Sequence, residues 1–130
     1  MSQRQSVSSA SPYEDQFGFC RGLRIGNLIQ IAGTAPIGAD GKTVGVGNPG
    51  AQARRCFEIM QSTLEELGAT TSDVVRTRMY LTRIADWEAV GAAHGEYFRE
   101  VRPVSTMLQV AQLIDPDWLV EIEADAITTT

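Results

Sequence analysis

Three carboxylates recur at every second position near the end of the chain: Glu121, Glu123 and Asp125. The residues that alternate with them are apolar, namely Val120, Ile122, Ala124 and Ala126. This period of two predicts a strand with one buried face and one acidic face, on which the carboxylates lie roughly 7 Å apart. Such a face is either a solvated sheet surface or the lining of a cleft. In a cleft, partial burial and like charge would raise a carboxylate pKa toward the range useful for proton transfer.

A second polar face follows from the segment Val74 to Thr82, which is rich in strand-forming residues. Arg76, Arg78 and Tyr80 share one side of that predicted strand. If this strand neighbours the last one, the arginines could neutralise the acidic face as ion pairs without any catalysis. The sequence leaves both interpretations open.

Other residues with reactive side chains have simpler explanations. His94 could act as a general base, but its position on a predicted helix favours a partly buried packing role. Cys56 lies within an apolar helical stripe, which favours a buried core thiol over a redox role. The glycine-rich run over residues 45–50 matches neither the Walker nor the dinucleotide-binding pattern, so a phosphate loop is disfavoured.

The elements that must position these residues can be predicted from periodicity and turn signals. We expect an α+β domain of two layers, in which two helices cover one face of a six-stranded sheet. The predicted strands are an edge strand from Phe17 to Arg24, strands over 28–32, 43–46 and 74–82, and two strands within 102–127. The first predicted helix covers 51–67, and the second would begin after Asp86 as its N-cap. One sheet face would remain uncovered, which indicates an oligomer.

Length and composition set further limits. The 130 residues predict one domain over 11–130, preceded by a flexible segment over 1–10 that is rich in Ser and Gln. The net charge of −5 disfavours a nucleic-acid surface. No membrane span or signal peptide is visible, so we expect a cytoplasmic protein with Cys20 and Cys56 as reduced thiols. We predict neither a metal site nor a cofactor.

Short motifs along the chain, in order, resemble the Rid family (RidA/YjgF, also labelled L-PSP endoribonuclease). They are Ser11-Pro12-Tyr13, Ile31-Ala32-Gly33, Ala51-Gln52-Ala53-Arg54, Pro103, Val110-Ala111-Gln112-Leu113 and Glu121-Ile122-Glu123-Ala124. The resemblance implies the chorismate-mutase-like fold, with a mixed sheet, both helices on one face, and a homotrimer whose ligand clefts lie between subunits.

The resemblance also implies roles for individual residues. Glu121 corresponds to a glutamate that positions the attacking water, Gly33 to a backbone contact with substrate, and Tyr13 to a cleft tyrosine. Ser105 stands where deaminase members carry a carboxylate-binding arginine, and Gly91 where they often carry an asparagine. The predicted substrate-binding residues are therefore Tyr13, Gly33, Gly91, Ser105 and Met107. A serine gives one neutral hydrogen bond in place of two charge-assisted ones, which costs on the order of a hundredfold in carboxylate affinity.

The resulting functional hypothesis is a hydrolase that acts on an enamine or imine other than 2-aminoacrylate. The first alternative is a non-catalytic trimer that binds or senses a metabolite. The second alternative is an endoribonuclease or translation inhibitor, which the acidic net charge disfavours. A different anion contact could come from one of four arginines elsewhere in the cleft, namely Arg21, Arg24, Arg76 and Arg78.

Overall fold

Six strands form one mixed sheet in a computed structural model that describes residues 3–129. The strand order is β1-β2-β3-β6-β4-β5, in which only the β4–β5 pair is parallel. The strands are β1 (Arg4–Val7), β2 (Gly22–Ile25), β3 (Leu28–Thr34), β4 (Val74–Leu81), β5 (Val104–Gln109) and β6 (Val120–Ile127). The helices are α1 (Tyr13–Phe17), α2 (Pro49–Glu66) and α3 (Trp87–Phe98), with 3₁₀ turns at Thr71–Asp73 and Ile84–Asp86.

Helix α2 shows why the sequence prediction succeeded there. The side chain of Asn48 accepts a hydrogen bond from the Ala51 amide at 3.0 Å, and Pro49 occupies the first turn, where its missing donor costs nothing. At the other end, Gly68 adopts a φ of 78°, the left-handed conformation that terminates helices. The prediction over 51–67 is therefore confirmed to within two residues at its start and one at its end.

The core lies between the sheet and the two long helices, α2 and α3. The predicted alternation along β6 is confirmed, because Val120, Ile122, Ala124 and Ala126 are all fully buried. Facing them are apolar side chains of the two helices, including Cys56, Phe57, Met60, Leu64, Val90 and Phe98. Cys56 is thus a buried core thiol, and burial raises its pKa well above its ordinary value. The α+β prediction with a six-stranded sheet is confirmed, with α1 as an additional short helix.

One predicted strand is shorter than expected and another is absent. The strand predicted from Phe17 to Arg24 begins only at Gly22, as β2. Phe17 lies in α1 instead, since Pro12 starts a helical turn that Gly18 ends at a φ of 77°. Residues 43–46 form only an isolated bridge between Ile37 and Thr43. The left-handed backbone of Gly45, at a φ of 61°, interrupts an extended chain there.

The missing strand comes from the N-terminal segment that was expected to be flexible. Within it, Arg4–Val7 pairs with β2 as an antiparallel edge strand, and Val7 is buried in the core. That expectation is therefore wrong for these four residues. Residues 1 and 2 of the segment lie outside the described part of the chain.

Two local details also differ from expectation. A register shift between Val74 and Arg76 turns Val74 into the core and exposes Val75, although strict alternation along the strand would place Val75 on the same face as the buried Thr77. Asp86 precedes α3 as predicted, but its carboxylate does not cap the helix. It binds the Arg83 guanidinium instead, at 3.1 Å.

The sheet surface opposite the helices, called the open face below, carries the polar positions of β3, β4, β5 and β6. Its centre holds Gln30, Arg78, Glu123 and Asp125, while apolar side chains at the edges are exposed, namely Ile25, Leu28, Val104, Leu108 and Ile127. Within residues 3–129, no helix combines the length and apolar composition needed to cross a bilayer.

Candidate functional site

Glu121 is the second residue of β6 and projects onto the open face, since its neighbours Val120 and Ile122 are buried in the core. Its carboxylate lies against Gly33: a Cβ at that glycine would be 2.9 Å from Oε2 of Glu121. Gly33 belongs to an irregular part of β3, where the register with β6 shifts between Ile31 and Thr34. A glycine there leaves space for the carboxylate. The structure therefore places Glu121 and Gly33 next to each other.

The electrostatic state of Glu121 is unusual for this surface. Within residues 3–129, its carboxylate has no hydrogen-bond or ion-pair partner. Burial is the main cause that raises the pKa of Glu121, and the negative charge of Glu123 raises it further. An unpaired, partly desolvated carboxylate of this kind is suited to exchanging protons with water or a ligand.

The other two acidic residues of β6 are neutralised by β4. The Tyr80 hydroxyl donates to Oε1 of Glu123 at 2.6 Å, and Nη1 of Arg78 lies 3.2 Å from Asp125 and 3.6 Å from Glu123. The ion-pair interpretation is thus correct for two of the three carboxylates. It does not apply to Glu121, which is thereby distinguished from its neighbours.

A second group of residues, the serine cluster, lies between β4, β5 and α3 and consists of Thr77, Gly91, His94, Ser105 and Met107. Oγ1 of Thr77 donates to Oγ of Ser105 at 2.8 Å and lies 2.8 Å from Nε2 of His94. A Cβ on Gly91 would meet the Met107 side chain at 3.9 Å, an ordinary contact. The three predicted residues Ser105, Met107 and Gly91 are therefore neighbours.

The two groups lie on opposite faces of the sheet. Ser105 is in register with Thr77, and Glu121 is in register with Tyr80. Thr77 and Tyr80 are three residues apart on β4, and an odd separation places their side chains on opposite faces. A single chain therefore does not bring Glu121 and Ser105 into one cleft.

Tyr13 lies on α1, apart from both groups. Its ring stacks on Phe17 with centroids 5.6 Å apart, and it is 55% exposed. Among residues 3–129, Tyr13 makes no hydrogen bond to Glu121 or to Ser105. Its assignment as a cleft tyrosine stays a prediction.

The arginines considered as anion contacts differ in their surroundings. Arg24 is committed to the fold, since it donates to the Leu67 carbonyl at 2.7 Å and to the Gly26 carbonyl at 2.9 Å. Arg21 and Arg78 both line a cavity of about 310 Å³ on the open face, together with Cys20, Gln30, Ala32 and Glu123. Burial lowers the pKa of Arg21 below its ordinary value. No three His, Cys, Asp or Glu side chains within residues 3–129 are arranged to hold a metal ion.

Sequence reasoning missed the role of Gln52, whose side chain is fully buried in α2. Its Nε2 donates to the carbonyls of Gly45 at 3.2 Å and Asp117 at 2.9 Å, and its Oε1 accepts from the Leu119 amide at 2.7 Å. These bonds hold the loop that leads into Val120 and Glu121. The available signal was a long polar residue next to Ala53, at the start of an apolar helical stripe.

A family model and several known proteins match this chain over most of its length. A family model described as endoribonuclease L-PSP matches residues 9–128. An uncharacterized protein of Streptomyces coelicolor is 39% identical over 120 residues, which is 92% of this chain and 89% of that protein. The 3-aminoacrylate deaminase RutC of Acinetobacter baylyi is 33% identical over 100 residues, which is 77% of this chain and 79% of that protein.

Solved structures agree with the fold. The crystal structure of Rv2704 from Mycobacterium tuberculosis, a member of the YjgF/YER057c/UK114 family, matches with a TM-score of 0.86 at 43% identity. That match covers 97% of this chain and all (100%) of the other. The YjgF gene product of E. coli matches with a TM-score of 0.78 at 25% identity, over 94% of this chain and 92% of that one.

Proposed function

This chain belongs to the endoribonuclease L-PSP family, which includes the Rid and YjgF proteins, and we propose that it hydrolyses an enamine or imine to a carbonyl compound and ammonia. The observation that carries this proposal is the unpaired carboxylate of Glu121 beside Gly33, with its raised pKa. The deaminase activity named for the RutC relative supports the same class of reaction.

Hydrolysis of an imine requires addition of water across the C=N bond. Glu121 takes a proton from water while the water oxygen bonds to the imine carbon, and it returns the proton to the nitrogen. Glu121 then takes the hydroxyl proton of the resulting carbinolamine and passes it to the amino nitrogen, so that the carbonyl forms as the C–N bond breaks and ammonia leaves. An enamine first tautomerises to the imine by gaining a proton at carbon and losing one from nitrogen. A carboxylate whose pKa lies above its ordinary range is suited to both proton transfers.

We further propose that the site is completed between subunits of a homotrimer. Two observations support this: Glu121 and Ser105 lie on opposite faces of one sheet, and the open face leaves apolar side chains such as Leu108 exposed. Packing of the open face of one subunit against a neighbour would cover those side chains. It could also bring Glu121 of one copy toward the serine cluster of another.

The substrate is proposed to differ from 2-aminoacrylate, because Ser105 replaces the arginine that the resemblance assigns to carboxylate binding. Ser105 accepts a hydrogen bond from Thr77, and the serine cluster contains no cation. A small 2-imino acid would bring a charged carboxylate to a site without a charge to match it.

The test is a coupled assay in which an amino-acid oxidase generates imines from aliphatic or aromatic amino acids and semicarbazide traps what remains. We expect the wild-type protein to lower the trapped fraction for at least one of these imines. Glu121→Gln should slow that reaction by about a hundredfold, the effect typical of losing a general base. Glu123→Gln is the matched control, since it changes a carboxylate on the same strand that is already bound to Tyr80 and Arg78.

Equal imine loss with wild type and with no protein would contradict the hydrolase proposal and favour the non-catalytic alternative. If Glu121→Gln removes imine as fast as the wild type does, another group must activate water. If the protein hydrolyses no imine in this assay but binds RNA in a salt-sensitive manner, the endoribonuclease alternative would be favoured instead.

A further inference from the structure

His94, Thr77 and Ser105 form a continuous hydrogen-bonded chain that ends at the protein surface. Thr77 is fully buried, whereas Ser105 is exposed on the edge strand β5. Each of the two contacts in the chain measures 2.8 Å. Within the chain, Thr77 is therefore the link between a half-buried imidazole and a surface hydroxyl.

The direction of the chain follows from the number of protons. A threonine hydroxyl has one proton, and Thr77 donates it to Oγ of Ser105. With Thr77 donating in that direction, the tautomer that completes the chain is Nε2–H, in which Nε2 of His94 donates to Oγ1 of Thr77. The hydroxyl proton of Ser105 is not used within this chain of hydrogen bonds, so Ser105 can donate it to an acceptor on a ligand.

The surroundings keep the histidine ring neutral and fixed. The ring contacts Phe57 and Phe98, with centroid distances of 5.7 Å and 4.8 Å. Burial lowers the pKa of His94, so the ring is uncharged at neutral pH. The chain therefore presents an oriented hydroxyl donor and no positive charge. Successive hydrogen bonds that run in one direction strengthen the terminal donor by polarisation.

We propose that His94 and Thr77 are positioning residues for Ser105, and that this relay selects ligands with a neutral acceptor oxygen, such as an amide or ester carbonyl, over carboxylates. A neutral carbonyl gains a hydrogen bond from Ser105 at little desolvation cost, whereas a carboxylate loses hydration without meeting an opposite charge. The inference rests on the proposed function, because it defines the substrate class of that same site. It extends that function to substrates such as the imines of 2-oxo amides or 2-oxo esters.

The binding test compares pyruvamide with pyruvate, which share the keto group and differ in charge, by isothermal titration calorimetry. We expect wild type to bind pyruvamide at least about tenfold more tightly, the worth of one good hydrogen bond against an uncompensated charge. Ser105→Ala should weaken pyruvamide binding and reduce that preference, because the hydrogen bond to the neutral carbonyl is lost. Thr106→Ala is the matched control, because it removes a hydroxyl from the same strand on the opposite face.

Variants of the two buried members separate the relay from simple packing. Thr77→Val and His94→Phe keep volume but remove a hydrogen bond, and each should weaken pyruvamide binding about three- to tenfold. Thr77→Ser and His94→Gln keep a donor at the required position, so these variants should bind pyruvamide about as tightly as the wild type does. In a Ser105→Ala background, Thr77→Val should have no further effect.

A spectroscopic readout checks the direction of the relay without any ligand. His94 is the only histidine of the chain, so ¹⁵N-detected imidazole signals report on this ring alone. We expect the neutral Nε2–H tautomer at pH 7, shifting toward the other tautomer in Thr77→Val. An Nδ1–H tautomer in the wild type would overturn the proposal.

Failure of this inference can be distinguished from failure of the hydrolase proposal. Tighter binding of pyruvate, or absence of pyruvamide binding at millimolar concentration, overturns the relay proposal whatever the turnover assay shows. A pyruvamide preference that depends on Thr77 and His94 supports it, even in a protein that hydrolyses no imine.

Discussion

At the scale of single residues, the three acids of β6 have the same sequence signature and different chemistry. Glu123 and Asp125 are bound by Tyr80 and Arg78, while Glu121 faces the backbone of Gly33. An unpaired, partly buried charge is unfavourable for folding, and such groups persist where function requires them. The same side chain should therefore oppose stability and support activity.

Replacement of Glu121 by Gln should raise the stability of the protein at neutral pH. The folded-state pKa of Glu121 is raised, so its favourable contribution is present below the unfolded pKa and is lost as pH rises through the folded pKa. Removing the charge should add about 0.5 kcal/mol at pH 7, a small gain because solvent screens a part-buried carboxylate. Urea unfolding at equal protein concentration measures it, and the difference should vanish near pH 4.

Glu123→Gln is the control for that stability measurement, because it loses the ion pair with Arg78 and weakens the hydrogen bond from Tyr80. It should not stabilise the protein at pH 7. A gain equal to that of Glu121→Gln would mean that reduced net charge alone explains both results.

The rate of hydrolysis should depend on pH through the same group. Water activation needs ionised Glu121, so kcat/KM should fall tenfold per pH unit below its pKa. Because that pKa is raised, the fall should begin at higher pH than an ordinary glutamate would give. In Glu123→Gln one cause of the raised pKa is removed, and the profile should move toward lower pH. An unmoved profile would contradict the electrostatic coupling between the two residues.

At the scale of elements, the loop before β6 is held by one side chain. Gln52 makes three hydrogen bonds to backbone groups of Gly45, Asp117 and Leu119 from a fully buried position in α2. These bonds connect the helix layer to the residue pair Val120 and Glu121. The position of Glu121 along the open face thus depends on α2 as well as on its own strand.

Gln52→Leu should destabilise the protein by about 2–3 kcal/mol, because buried backbone groups lose their partners. Gln61→Leu, an exposed glutamine of the same helix, should change stability by less than about 0.5 kcal/mol. Denaturant unfolding of both variants provides the comparison. Where Gln52→Leu still folds, its hydrolysis rate should also fall, whereas an unchanged rate would argue against a role of the loop in placing Glu121.

At the scale of the whole molecule, the open face carries a polar centre and apolar edges. Val104 and Leu108 are 58% and 40% exposed on β5, and Ile25, Leu28 and Ile127 are exposed at the other end. Such a pattern on a sheet is typical of a surface covered by another subunit. The proposed trimer would use it.

Leu108→Glu should therefore dissociate the oligomer, since a charge would be buried against a neighbouring subunit. Sedimentation velocity should show a trimer for wild type and smaller species for the variant. Ile84→Glu is the control: Ile84 is 50% exposed but lies in the 3₁₀ turn before α3, away from the open face. A monomeric wild type, or dissociation by both variants, would contradict the proposed interface.

Elements with strong local signals can be predicted from the amino-acid sequence. The stripe and end signals of α2 and the alternation of β6 predict those elements nearly to the residue, because a period and a cap are local properties. Phe17 and the segment 43–46 were misassigned because short apolar runs fit both a turn and a strand. Arg4–Val7 was missed because its pairing with β2 is set by a partner strand rather than by its own polar composition.

The tertiary structure alone decided which candidate residues meet. Sequence motifs and family resemblance named Glu121, Gly33, Ser105, Met107 and Gly91, but not that the first two lie on the sheet face opposite the other three. Strand register, which is a long-range property, determines that separation and leaves Glu121 as the unpaired acid. It also joins Thr77 to His94 and Ser105, residues 17 and 28 positions apart in the chain, in a hydrogen-bonded chain that no local pattern could reveal.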